Sequence, residues 1–150
     1  MEPMRADDRL AILDAMGRYA YAWDAKDAEA YAELFTEDGV LEVHTRSSDG
    51  PAIHCEGRAA VRAWAERIHS GSDPGMRPIR AGQQTRHTPN NTIFQSLSDT
   101  EARTRTMLLE LLTLPGQSPK PQVTGIYTDV WRRTPAGWLI AHRRLDMDGG

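Results

Sequence analysis

Cysteine is almost missing from this chain: Cys55 stands alone among 150 residues, so no intrachain disulfide can form. That fits a reducing compartment, and a lone thiol of this kind packs as a small apolar strand residue more often than it serves as a nucleophile. Long apolar runs are missing too. No segment approaches the roughly 20 apolar residues of a membrane span, and the opening Met-Glu-Pro-Met-Arg-Ala-Asp-Asp lacks the hydrophobic stretch of a secretion signal. The expected location is cytoplasmic, with no membrane partner. Positive charge is in deficit, the formal net charge being −3. The pairs Arg132-Arg133 and Arg143-Arg144 alternate across strand faces and build no basic stripe, which argues against a nucleic-acid partner. His44, His54, His69 and His142 form no HxxxH or HxH pair, so no metal site is expected. No GxGxxG follows a strand, and P-loop, GxSxG and Cys-His patterns are all lacking. Nucleotide cofactors and covalent catalysis are therefore not expected, and the chemistry left open is cofactor-free proton transfer in an apolar pocket.

What is present is ordinary globular material, 39% hydrophobic and 26% charged, enough for one domain over residues 1–150. Asp7 or Asp8 is placed to cap a first helix that runs to about Trp23. Asp27 reads as a second cap, followed by a helix from Ala28 to Phe35 and a turn at Glu37-Asp38-Gly39. Val40 to His44 and Ala52 to Glu56 read as a hairpin. Arg58 to Ser70 is a helix with Val61, Trp64, Ala65 and Ile68 on its apolar stripe. Gly71 to Gly82, with two Pro and three Gly, is a loop suited to act as a lid. Four strands then follow: Thr85–Leu97, Glu101–Thr113, Gln122–Thr134 and Trp138–Met147. Pro89 calls for an edge, bend or bulge in the first of them. Helices early and strands late predict an α+β fold, three helices packed on a curved antiparallel sheet that closes into a cone around a pocket.

The first helix carries an anomaly. Leu10, Leu13, Gly17 and Ala20 form a stripe at i, i+3, i+7 and i+10, and its next position is Asp24. A carboxylate on an apolar face needs a partner. Asp24 either caps or braces a neighbouring loop, or it serves a site.

Several short motifs recur in order along the chain: Tyr19-x4-Asp24, Tyr31-x3-Phe35-x2-Asp38-Gly39, Gly57, Arg86-His87 with Asn91, Gly125-x-Tyr127-x-Asp129, and Gly137-Trp138-x4-Arg143. Over roughly residues 7 to 147 this series resembles the NTF2-like superfamily, and within it the SnoaL-like group of polyketide cyclases, scytalone dehydratase, bile-acid dehydratase and a dehydrochlorinase. The resemblance implies the cone-shaped fold. It also implies that Asp24 pairs with His87, fixing the tautomer of an imidazole that acts as general base, with Tyr19 as a hydrogen-bond donor to substrate. Scytalone dehydratase uses a second pocket histidine, where this chain has Thr104, Thr106 or Met107. The single-histidine relatives match better.

The other candidates keep two readings each. Tyr19 is a catalytic donor or plain core. Tyr21 and Tyr127 are pocket walls. Asn91 contacts substrate or serves a turn, and its parity with His87 depends on Pro89. Arg143 either stabilises an enolate or pairs structurally with Asp129, and Trp64 is core first and pocket wall second. The expected function is a cofactor-independent lyase or isomerase, a dehydratase or cyclase, acting on a small hydrophobic ring-containing carbonyl substrate. The alternative is a non-catalytic ligand-binding or assembly module. Val130, Leu139 and Leu145 are expected on the outer sheet face, where they would support a homodimer or, as a second choice, a trimer.

Overall fold

A computed structural model describes residues 5–73 and 79–150. The element order is α1 (Ala6–Asp24), α2 (Ala28–Glu33), β1 (Phe35–His44), β2 (Ile53–Glu56), α3 (Arg58–Ser70), β3 (Gln84–Leu97), β4 (Glu101–Thr113), β5 (Lys120–Thr134) and β6 (Gly137–Met147). The six strands form one sheet in the order β2-β1-β6-β5-β4-β3, with the three helices against its inner face. Only β1 and β6 pair in parallel; every other neighbour pair is antiparallel. The proposed lid segment falls partly on residues 74–78, which lie outside the described residues.

Helix α1 differs from expectation in the face it buries. Ile12, Ala15, Met16, Tyr19, Ala20 and Ala22 enter the core, while Leu10 and Leu13 are 63% and 42% exposed. Two stripes compete on this helix, and the winner carries Met16 and Tyr19 where the loser carries Gly17. Burying the bulkier stripe removes more apolar area from water. The capping expectation fails as well. No side chain among the described residues caps α1, and Asp8 instead accepts from the Trp138 indole N–H at 3.0 Å. Asp27 does cap α2, accepting from the Ala30 amide at 3.0 Å.

Phe35 is not helical. It opens β1, because the carbonyl of Leu34 already accepts from the Ile140 amide at 2.8 Å. Glu37-Asp38-Gly39 is therefore an irregularity inside a strand rather than a turn, and the register to β6 shifts between Phe35 and Val40. Glycine is required at 39, since a Cβ there would lie 2.9 Å from the Ile140 carbonyl oxygen.

Two bulges redirect side chains. Pro89 sits on the edge strand β3, where its missing N–H costs no ladder bond. Just beyond it the register to β4 slips between Asn90 and Ile93, and Asn91 adopts φ +52°. The slip flips the strand. Thr85 and His87 face inward before it, and Thr92 faces inward after it, bonded to buried Thr106 at 2.9 Å. In β6 a second slip opposite Val130/Trp131 turns Leu145 into the core. Leu145 is thus not part of the outer face, and Val130 and Leu139 there are only half-exposed. The exposed apolar groups on the outer side of β3 and β4 are Ile93 and Met107.

Candidate functional site

Asp24 is the last residue of α1, where a carboxylate opposes the helix dipole. Its surroundings compensate. One carboxylate oxygen accepts from the Thr85 hydroxyl at 2.8 Å and lies 2.7 Å from His87 Nδ1; the other accepts from the His87 amide at 2.8 Å. Gln84 adds a bond from its side-chain amide to the Asp24 carbonyl at 3.0 Å. The Thr-Arg-His run of β3 thus presents a hydroxyl, a backbone N–H on the open edge and an imidazole to one carboxylate.

The far nitrogen of His87 is engaged too. Nε2 lies 3.2 Å from Glu110 Oε2, directly across the β3–β4 ladder. Sequence reasoning missed Glu110. The signal was available in strand parity, since Thr104, Thr106 and Leu108 point inward along β4 and Glu110 is the next position on that face. The result is an imidazole held between two carboxylates, all three side chains nearly buried. Burial alone would lower the His87 pKa. The bonds to Asp24 and Glu110 outweigh it and push the value up to about 9. Burial likewise opposes ionisation of Asp24, but its bonds to His87 hold the carboxyl below its ordinary value. His87 is therefore an imidazolium at neutral pH, with Nδ1–H and Nε2–H each directed at a carboxylate.

A raised pKa means that the folded protein holds this proton more tightly than the unfolded chain does. The stability it adds is complete below pH 6.5 and is lost as the pH rises through about 9, an amount of roughly 3 kcal/mol. The urea unfolding midpoint is expected to fall across that window, and His87→Gln to abolish the fall. A flat wild-type profile between those limits would contradict the assignment.

His87 and Asp24 close one end of a cleft of about 910 Å³ between α1 and β3. Leu13, Met16, Gly17, Ala20 and Tyr21 form its helical wall; Arg86, Thr88, Pro89 and Thr92 form the strand wall. The volume is that of a small-molecule site, and the helical wall is apolar. The expected residues Asp24, His87 and Tyr21 meet here. The others do not line it. Asn91 is turned by the bulge to the outer face, where its side-chain amide donates to Met107 Sδ at 3.3 Å. Trp64 is core, stacked on Trp23 at 5.0 Å.

Tyr19, Tyr127 and Arg143 come together in a separate cluster in the interior of the cone. The Arg143 guanidinium is fully buried and donates twice to Asp129, from Nε and Nη2, at 2.8 Å each. The rings of Tyr19 and Tyr127 cover it, each centroid 4.1 Å away. Burial alone would favour loss of the guanidinium proton; Asp129 reverses this and holds Arg143 charged above its usual range. The Tyr19 hydroxyl is bonded to that of Tyr31 at 2.5 Å, and burial raises both phenol pKa values. Arg143 Nη1 alone in this cluster has no hydrogen-bond partner among the described residues. No group of three or more His, Cys, Asp or Glu side chains suited to a metal ion occurs among the described residues. No helix among them is long and apolar enough to cross a membrane.

The sequence matches the SnoaL-like domain over residues 4–144. Among solved structures, the mycobacterial protein Rv3472 of unknown function, from Mycobacterium tuberculosis, superposes with a TM-score of 0.77 at 24% identity, covering 96% of this chain and 73% of that one. ActVI-ORFA from Streptomyces coelicolor gives 0.75 at 24%, covering 93% and 96%. A candidate scytalone dehydratase from Novosphingobium aromaticivorans gives 0.72 at 25%, covering 95% and 87%. A plant protein from Arabidopsis thaliana, gamma response 1, is 28% identical over 102 residues, 67% of this chain but only 17% of its own length.

Proposed function

Because the chain belongs to the SnoaL-like domain family, which includes cofactor-free cyclases and dehydratases, we propose that it is a cofactor-independent dehydratase or cyclase. In this reading Asp24 and His87 act as a general base on a small hydrophobic ring-containing carbonyl compound. The observation that carries it is the Asp24–His87 pair, 2.7 Å apart, in a cleft of small-molecule size whose helical wall is apolar. Ligand entry excludes water, and a low-dielectric cleft favours neutral groups over an ion pair. The imidazolium therefore releases its Nε2 proton, leaving a neutral imidazole. The imidazole takes a proton from the carbon beside the substrate carbonyl, and the C–H electron pair moves into an enolate. The enolate expels a hydroxyl that leaves as water by accepting a proton from the site, or its carbon attacks a second carbonyl and closes a ring. Asp24 holds Nδ1–H and steadies the imidazolium as it forms. Tyr21 belongs to the helical wall of the cleft.

The test is deuterium uptake beside the carbonyl of tetralone, anthrone and androstenedione in heavy water. Uptake above the buffer rate with at least one ketone is the expected result, and uptake at the buffer rate with all three overturns the proposal. A second reading, a non-catalytic ligand-binding module, is favoured by one observation. The bonds of Asp24 to Thr85 and to the His87 amide tie α1 to the edge strand whether or not chemistry follows. Ketone binding without uptake would support it.

A further inference from the structure

Gly17 lies near the middle of the 19-residue helix α1, and glycine is among the poorest residues for a helix interior. The usual reasons for keeping it are missing. Its φ is not positive, and a Cβ built on it would meet no atom of the described residues within 4 Å. Neither backbone strain nor close packing requires glycine, and yet the position lines the cleft.

Its neighbours on that wall are Leu13 and Tyr21, one helical turn to either side. Both side chains are exposed, so Gly17 forms a notch of bare backbone between two large apolar groups. Asp24 closes the same wall seven residues on, which at the helical rise puts the notch about 10 Å from the carboxylate end of the cleft. A molecule whose reacting carbonyl lies at His87 therefore reaches the notch only if it is elongated. A four-ring fused skeleton covers that span and a two-ring one does not.

Resting on the reading of this cleft as the substrate site, we propose that Gly17 is its specificity-determining residue, the notch receiving the far rings of an elongated fused-ring ketone. The rings lie flat on the helix backbone between Leu13 and Tyr21. A larger side chain at 17 fills the place they occupy, far from the groups that move the proton.

Dissociation constants of androstenedione and tetralone, measured by quenching of tryptophan fluorescence on wild type, Gly17→Ala and Gly17→Leu, test this. The wild type is expected to prefer androstenedione. Gly17→Leu is expected to lower that preference by at least about tenfold, with Gly17→Ala between the two. Both variants are expected to melt at or above the wild-type temperature, which shows that the helix is intact. An unchanged preference in Gly17→Leu overturns the role of Gly17 and leaves the substrate site standing. Failure of the wild-type protein to bind either ketone overturns both.

Discussion

His87→Gln is expected to slow deuterium uptake beside the ketone carbonyl by about 10²–10⁴-fold, the usual contribution of a positioned acid–base group. The substitution is chosen because an amide of similar reach can still bond to Asp24 and Glu110, which keeps α1 attached to β3, but it cannot gain and lose a proton near neutral pH. The wild-type rate is also expected to climb as the pH approaches about 9, where the imidazolium gives up its extra proton. Glu110→Gln removes one of the two carboxylates that raise this pKa, so the rising limb should move to lower pH. A folded His87→Gln protein with wild-type uptake would remove the imidazole from the mechanism. A rising limb that stays in place in Glu110→Gln would remove Glu110 from it.

Asp129→Asn is expected to destabilise the fold by about 3–5 kcal/mol, because it leaves the Arg143 guanidinium buried without its counter-ion. The cost is large for a single-atom change. Arg143 is fully buried, the aromatic faces of Tyr19 and Tyr127 offer it only a partial substitute, and Nη1 has no other acceptor among the described residues. The double variant Asp129→Asn with Arg143→Met should recover much of the loss, since removing both charges also removes the desolvation penalty. Urea unfolding of the three proteins measures this. A loss below about 1 kcal/mol in the single variant would mean that the pair exchanges with water and does not anchor the cone.

The strands were legible because alternation needs only a period of two. Pro89 calls for an edge, a bend or a bulge, and the structure places it on the edge strand just before a bulge. On β5, Tyr127, Asp129 and Trp131 are buried together on one face of the strand. The failures have two physical origins. A bulge changes parity without a strong local signal, so Asn91 left the site and Leu145 entered the core. On α1, two stripes of similar spacing competed, and the outcome depended on which side chains the sheet could bury. That is tertiary information, and it moved Leu13 and Gly17 from the expected core to the wall of the cleft. Asp24 was expected on the Leu10–Ala20 stripe, and that stripe is the one facing the cleft, so the carboxylate is found with His87 although the stripe itself was assigned to the wrong environment. Glu110 could be reached only by continuing the inward parity of β4 past its apolar residues and asking what stood opposite His87.

In the proposed function the α1–β3 cleft seats a ring ketone with its reacting carbon at His87. A crystal structure of the protein soaked with androstenedione tests it most directly. The expected result is density for the rings along α1 from Gly17 toward Asp24, the carbon beside the carbonyl within about 3.5 Å of His87 Nε2, and the Glu110 side chain turned away from that nitrogen. Ketone bound elsewhere, or a cleft that stays empty with Glu110 still on His87, would contradict it.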